Sequence, residues 1–119
     1  MKFTVTVDTK QASKIIADRL NVRVPKVLGE STRTTTEKVR ETARTNAPVD
    51  TGELQGSIDS EMLSEFEGRV FATAEHAPYV EFGTYKMQAQ PFMGPAVEQH
   101  RTQHVRDTKS KVKQAVENG

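Results

Sequence analysis

A proline inside a helix removes a backbone donor and clashes with the preceding turn, at a cost of about 3 kcal/mol. The prolines of this chain, at 25, 48, 78, 91 and 95, therefore mark where regular elements begin and end. Ala12, Ile15, Ile16 and Leu20 recur at helical spacing, which predicts a short amphipathic helix over about residues 10–21. Pro25 ends or kinks it, and Val24 before the proline is pushed out of the helical region. A second helical stretch, over about 26–45, follows the apolar line Val27, Leu28, Val39 and Ala43, with Thr32 and Thr35 filling the gap. Branched Thr34, Thr35 and Thr36 lose rotamer freedom in a helix, so packing rather than propensity must hold this one. It stops at Asn46-Ala47-Pro48. Proline in a first turn forfeits no intrahelical bond, so Pro91-Phe92-Met93-Gly94-Pro95 opens a last helix. Val97, Val105, Val112 and Val116 lie close to one face of it, and its end, Lys109 to Gly119, is expected to fray.

Between the helices the period changes. Phe3, Val5 and Val7 alternate with Thr4 and Thr6 as in a half-buried strand. Further strands are expected at 54–63, at 67–74 and at about 79–84, with Glu67-Gly68 at the hairpin turn. The expected architecture is α+β: a small, mainly antiparallel β-sheet packed by a long kinked N-terminal helical segment and a C-terminal helix, in one domain over 1–119.

The core of such a domain would be modest. Hydrophobic residues are 34% of the chain and aromatics 6%, with no Trp, against a usual apolar share of roughly 45–50% counting Gly. Part of the chain is then disordered, or part of the fold is completed by neighbouring subunits; some of each is expected. The absence of Cys excludes disulfides, thiolate metal sites and a Cys nucleophile. A net charge of +1 argues against a dedicated electrostatic binder of nucleic acid. The opening run is not a signal peptide and no apolar run is long enough to cross a membrane, so a soluble protein made in a cytoplasm is expected.

Few residues suggest chemistry. His100 and His104 have the spacing of two zinc ligands on a helix, but Arg101 stands where a metalloprotease would have Glu, and no third ligand is evident. A solvated or subunit-facing pair explains them. His76 sits near Glu75 and Glu81 without a Ser nucleophile elbow, a phosphate loop or paired metal carboxylates, and reads as one of several polar residues exposed at a turn. Arg101, Arg106, Lys109, Lys111 and Lys113 alternate with Glu98, Asp107 and Glu117. A nucleic-acid module would need the basic side chains on one face, and the interleaved acids oppose that.

Three short segments are more specified than a bland domain needs. In Ala47-Pro48-Val49-Asp50-Thr51-Gly52, proline stops a helix, an Asp50 or Thr51 oxygen can bond turn N–H groups, and Gly52 permits positive φ. Ala77-Pro78-Tyr79-Val80-Glu81-Phe82-Gly83-Thr84 mixes apolar anchors with a carboxylate and a glycine. Here Phe82 is expected to anchor the sheet against a helix. Glu81 is expected to face away from the core and to find a cation, with Lys86 nearest in sequence, or backbone donors. The third segment, Ala89-Gln90-Pro91-Phe92-Met93-Gly94-Pro95-Ala96, is a rigid loop feeding a helix.

In this order, with Leu54 and Ser57-Ile58 after the first, these segments resemble the siphophage tail-component family, the neck proteins called tail-completion, tail-terminator or head–tail joining proteins. Gln55 stands where that family usually has a basic residue, and Met93-Gly94 where it often has Leu-Arg. The resemblance implies a structural virion protein with no active site, cofactor or metal. It implies a ring at the top of the tail, sixfold to match the tube, contacting itself, the tail-tube protein and the head connector. DNA would pass through the lumen without sequence-specific binding, and no membrane is involved. The alternatives are another neck ring, adaptor or stopper, a nucleic-acid-binding module using the last helix, or a small metal-dependent hydrolase built on the histidines.

Overall fold

A computed structural model describes residues 3–8, 23–49 and 52–118. The elements run β1 (Phe3–Asp8), α1 (Arg23–Asn46), α2 (Glu53–Ser57), β2 (Ile58–Ser64), β3 (Glu67–Ala72), α3 (Ala77–Phe82) and α4 (Met93–Asn118). This is the expected α+β architecture. The helix expected over 10–21 lies outside the described residues, and Val24, expected to leave the helical region before Pro25, is helical. None of the described helices is long and apolar enough to cross a membrane.

The sheet is antiparallel throughout, in the order β1-β3-β2. Val5 lies opposite Val70, and Ile58 opposite Ala72. Central β3 turns Gly68, Val70 and Ala72 to the interior, while Arg69 and Phe71 are half-buried on the other face. The hairpin turns at Glu65-Phe66, not at Glu67-Gly68. Gly68 is needed inside the strand instead: a Cβ there would come within 2.9 Å of Thr36 Cβ, so its absence lets β3 lie directly on α1.

α1 begins at Arg23, ahead of Pro25, which occupies the first turn where its missing N–H is not needed. Its buried face runs Leu28, Thr32, Thr36, Val39, Ala43. Thr32 and Thr36 donate to carbonyls four residues back, Thr32 to Leu28 (2.8 Å) and Thr36 to Thr32 (2.7 Å), so neither hydroxyl is left unsatisfied. The core gathers Val39, Ala43, Ala47, Leu54, Ile58, Val70, Ala72, Ala74, Ala77, Phe92, Met93 and Ala96. Its many alanines let the elements approach closely, and Phe92 is its largest fully buried side chain.

The strand expected over 54–63 begins only at Ile58; residues 53–57 are the helical turn α2. Buried Leu54 and Ile58 are four apart, a helical spacing, and Gly56 N–H donates to Gly52 O (2.9 Å). Arg44 Nε reaches Ile58 O (2.8 Å) and ties the end of α1 to the start of β2.

α4 packs antiparallel along α1 through a polar seam. Ser31 bonds Thr108 (2.6 Å), Thr35 bonds His104 Nδ1, Thr42 bonds His100 Nε2 (2.6 Å), and Asn46 Nδ2 donates to Phe92 O (3.3 Å). The two histidines are half-buried and bond across the helix pair. Desolvation lowers the pKa of both. Lys38 reinforces this at His100, while at His104 Asp107 opposes it and Lys111 adds to it.

The sign of the pH effect follows. The folded state holds His104 below its ordinary value of 6.5, so on acidification the unfolded chain takes up the proton first. The seam's contribution is full above about 6.5 and is lost as pH falls through the range below it. The melting temperature, followed by circular dichroism, is expected to drop between about pH 7.5 and about pH 5.5, and to drop less in His104→Gln, whose amide can still bond Thr35. An identical pH profile in the two proteins would exclude His104 as the source.

Candidate functional site

The segment from α3 to the start of α4 is built around one buried charge. Ala77 and Glu81, four apart on α3, face inward, and Pro78 occupies the first turn. Glu81 is only 7% exposed. Its Oε1 accepts from the N–H groups of Phe92 (3.1 Å) and Met93 (2.7 Å), and its Oε2 accepts from Gly94 N–H (3.2 Å). These are among the N–H groups at the start of α4 that have no intrahelical acceptor, and a negative charge there also meets the positive end of the helix dipole. A Cβ on Gly94 would sit 3.2 Å from Oε2, so the glycine leaves room for the carboxylate.

Between α3 and α4 the chain makes a closed loop. Gly83 has φ 77° and donates to Tyr79 O (2.8 Å). A Cβ there would meet Met87 O at 2.9 Å and Ala89 N at 2.8 Å, both backbone atoms of the returning chain. Thr84 and Met87 exchange backbone bonds (2.8 and 3.2 Å), and Thr84 Oγ1 accepts from Lys86 N (3.2 Å) and Met87 N (3.1 Å). Gln90 N–H closes the loop on Val80 O (2.8 Å). Outward, Tyr79 (58% exposed), Phe82 (70%) and Tyr85 (93%) present three aromatic rings within seven residues, with Met87 also exposed. Lys86 Nζ lies 5.4 Å from the centre of the Tyr85 ring.

Two expectations are overturned here. Residues 77–82 are helical, where a strand was expected at about 79–84, because the buried positions are spaced by four. The roles of Glu81 and Phe82 are also exchanged. Phe82 points to solvent and Glu81 inward, since three backbone donors make the carboxylate's burial tolerable and Phe92 already supplies the aromatic anchor. The carboxylate does take backbone donors, as one of its two expected partners; Lys86 stacks on Tyr85 instead.

The other motif residues are distributed more widely. Gln90, Pro91 and Pro95 are exposed, Pro95 within the first turn of α4, while Phe92 is fully buried. Thr84 is exposed at the loop turn. Pro48 is half-buried just past α1, Gly52 has φ 80°, and Asp50 and Thr51 lie outside the described residues. Gln55 takes a part the sequence did not reveal. Pro48 has no N–H to offer Arg44 O, four residues back, and Gln55 Nε2 supplies that donor (3.1 Å). His76 is exposed at the start of α3. Among the described residues no group of three or more His, Asp or Glu could hold a metal ion.

The chain belongs to the bacteriophage HK97 gp10-like family of tail components, whose model matches residues 9–83. No curated protein and no solved structure matches it. The family match takes in the first two motifs and ends at Gly83, the left-handed residue that closes α3. The protein is thus a phage tail component, a part of the virion.

Two predictions follow from this geometry. Glu81→Gln keeps one acceptor but removes the charge from three backbone donors, and should destabilise the fold by about 2 kcal/mol in urea unfolding, with Glu81→Ala worse. An unchanged urea midpoint in both would show that the cap contributes nothing. Gly83→Ala should cost more than Gly52→Ala. Both carry the left-handed penalty of about 1 kcal/mol, but only Gly83 also faces a close backbone, Gly52 having open space around it. Equal losses in the two variants would exclude the close approach as a factor.

Proposed function

We propose that this tail component forms a ring at the head–tail joint, where it completes or terminates the tail and connects it to the head. The observation that supports this is the pairing of a rigid, doubly tied segment with three outward aromatic rings, Tyr79, Phe82 and Tyr85. Aromatic anchors on a pre-ordered backbone are the groups from which assembly interfaces draw most of their affinity, because little ordering entropy is lost on contact. A ring uses a heterologous contact closed by rotation, and an interface of about 1,200–2,000 Å² would supply burial that the chain's small core lacks. Its copies would number six, to match the tube, with the tail-tube protein on one side, the head connector on the other and DNA passing through the lumen. The role is structural and needs no catalytic residue.

Phe82→Ala/Tyr85→Ala tests this. Both side chains are exposed, so circular dichroism and melting should match the parent protein. Joining of purified tails to head connectors, scored by electron microscopy after mixing, should fall by about tenfold or more. Normal joining by the double variant would remove this surface from the interface.

A further inference from the structure

Charge is segregated along this chain in a way that its net value hides. Residues 99–114 carry five of the 17 cationic side chains (Arg101, Arg106, Lys109, Lys111 and Lys113) and one of the 16 carboxylates, so this stretch is +4 and the remainder of the chain −3. Helical geometry segregates it again. The one carboxylate, Asp107, is half-buried, takes a hydrogen bond from Gln103 (2.8 Å) and acts on His104, which faces α1. The outward row 101, 105, 109, 113, spaced by four, has Arg106 beside Lys109, and every one of these residues is exposed. Arg101, Thr102, Val105, Arg106 and Lys109 line a shallow open groove on it. Glu98 pairs with Arg101 at the N-terminal end (3.5 Å). Beyond that point to Lys113, α4 carries four exposed cations, and its one carboxylate, Asp107, is half-buried and hydrogen-bonded.

We propose that the outward face of α4, from Arg101 to Lys113, binds the phosphate backbone of duplex DNA without reading sequence. The row spans about 18 Å at 1.5 Å per residue, enough to follow several phosphates. Lys and Arg on a helix supply charge and donors to phosphate oxygens, contacts that fix position on a duplex and carry no sequence information. The acidic remainder of the molecule repels DNA and so orients the approach. This inference stands on charge placement alone and does not depend on the ring.

The test is fluorescence anisotropy of the full chain with two labelled duplexes of unrelated sequence, each about 20 base pairs, from about 25 to about 200 mM salt. Equal affinity for both is expected, with a log–log salt slope of about −3 to −4 for four neutralised phosphates. Arg106→Gln/Lys109→Gln should reduce the slope by about two and weaken both complexes alike, while Arg33→Gln/Lys38→Gln on α1 should leave them unchanged. No binding at the lowest salt would overturn the proposal, as would equal loss in the two double variants. Polyglutamate competing as well as unlabelled duplex would overturn it in favour of an acidic protein partner.

Discussion

The contact on which the visible surface of this protein depends is the one between the Glu81 carboxylate and the first N–H groups of α4. A buried carboxylate alone would be strongly unfavourable, and so would a helix start with buried, unpaired donors. Placed together, the two liabilities cancel. The helix dipole adds to the attraction, and hydrogen bonds to a charged acceptor are each stronger than neutral ones. Structurally, the contact fixes a six-residue helix that could not persist alone against the end of a 26-residue one. Everything between them is then short of freedom. Gly83 reverses the chain, Gln90 closes the loop on Val80, and Tyr85 is held at the tip.

The seam between α1 and α4 solves a different problem. A chain with few large apolar residues cannot rely on burial alone to set the register of two long helices. Here Ser31, Thr35 and Thr42 each meet one partner on α4 and Asn46 meets Phe92 just before it, about a turn or two apart. Each such bond contributes only about 0.5–1.5 kcal/mol net. Its larger effect is on specificity, because sliding α4 along α1 would leave several part-buried hydroxyl and imidazole groups unpaired at once. The threonines that propensity disfavours in α1 are therefore explained by what they touch. Thr32 and Thr36 bond back to their own helix under the sheet, and Thr35 and Thr42 reach across to the histidines.

Much of this was legible in the sequence, and what was not has a common cause. The long helices, the strand at Phe3–Asp8 and the hairpin show their periods over enough residues to be read. So does the left-handed glycine of the first turn, Gly52, because turn chemistry is local. The failures, at 53–57 and 77–82, are helical turns of five and six residues. Over so short a span, two apolar residues four apart, such as Leu54 and Ile58, fit a helix and a strand equally well. The exchange of Glu81 and Phe82 came from ranking side chains by polarity alone. The donors that make Glu81 a buried residue lie eleven to thirteen positions away, on a helix whose start only the tertiary structure defines. The histidine seam was hidden likewise: its partners are 58 and 69 residues distant.

Put together, these contacts divide the molecule by polarity. The aromatic loop stands at the end where α1 finishes and α4 begins, since Asn46 bonds Phe92 O and Gln90 closes on Val80. The cationic row begins two turns further along α4 and continues away from that end. A protein whose one role was to bury apolar surface would have no reason to gather five cations against one half-buried carboxylate over residues 99–114 of its last helix. One that only bound polyanions would have no reason to hold three aromatic rings in water on a segment tied at both ends. The two surfaces need opposite solvation, apolar contact gaining from water release and phosphate contact from counterion release. The Glu81 cap ties the aromatic segment to the start of the helix that bears the cationic row, and so keeps the spacing of the two surfaces constant.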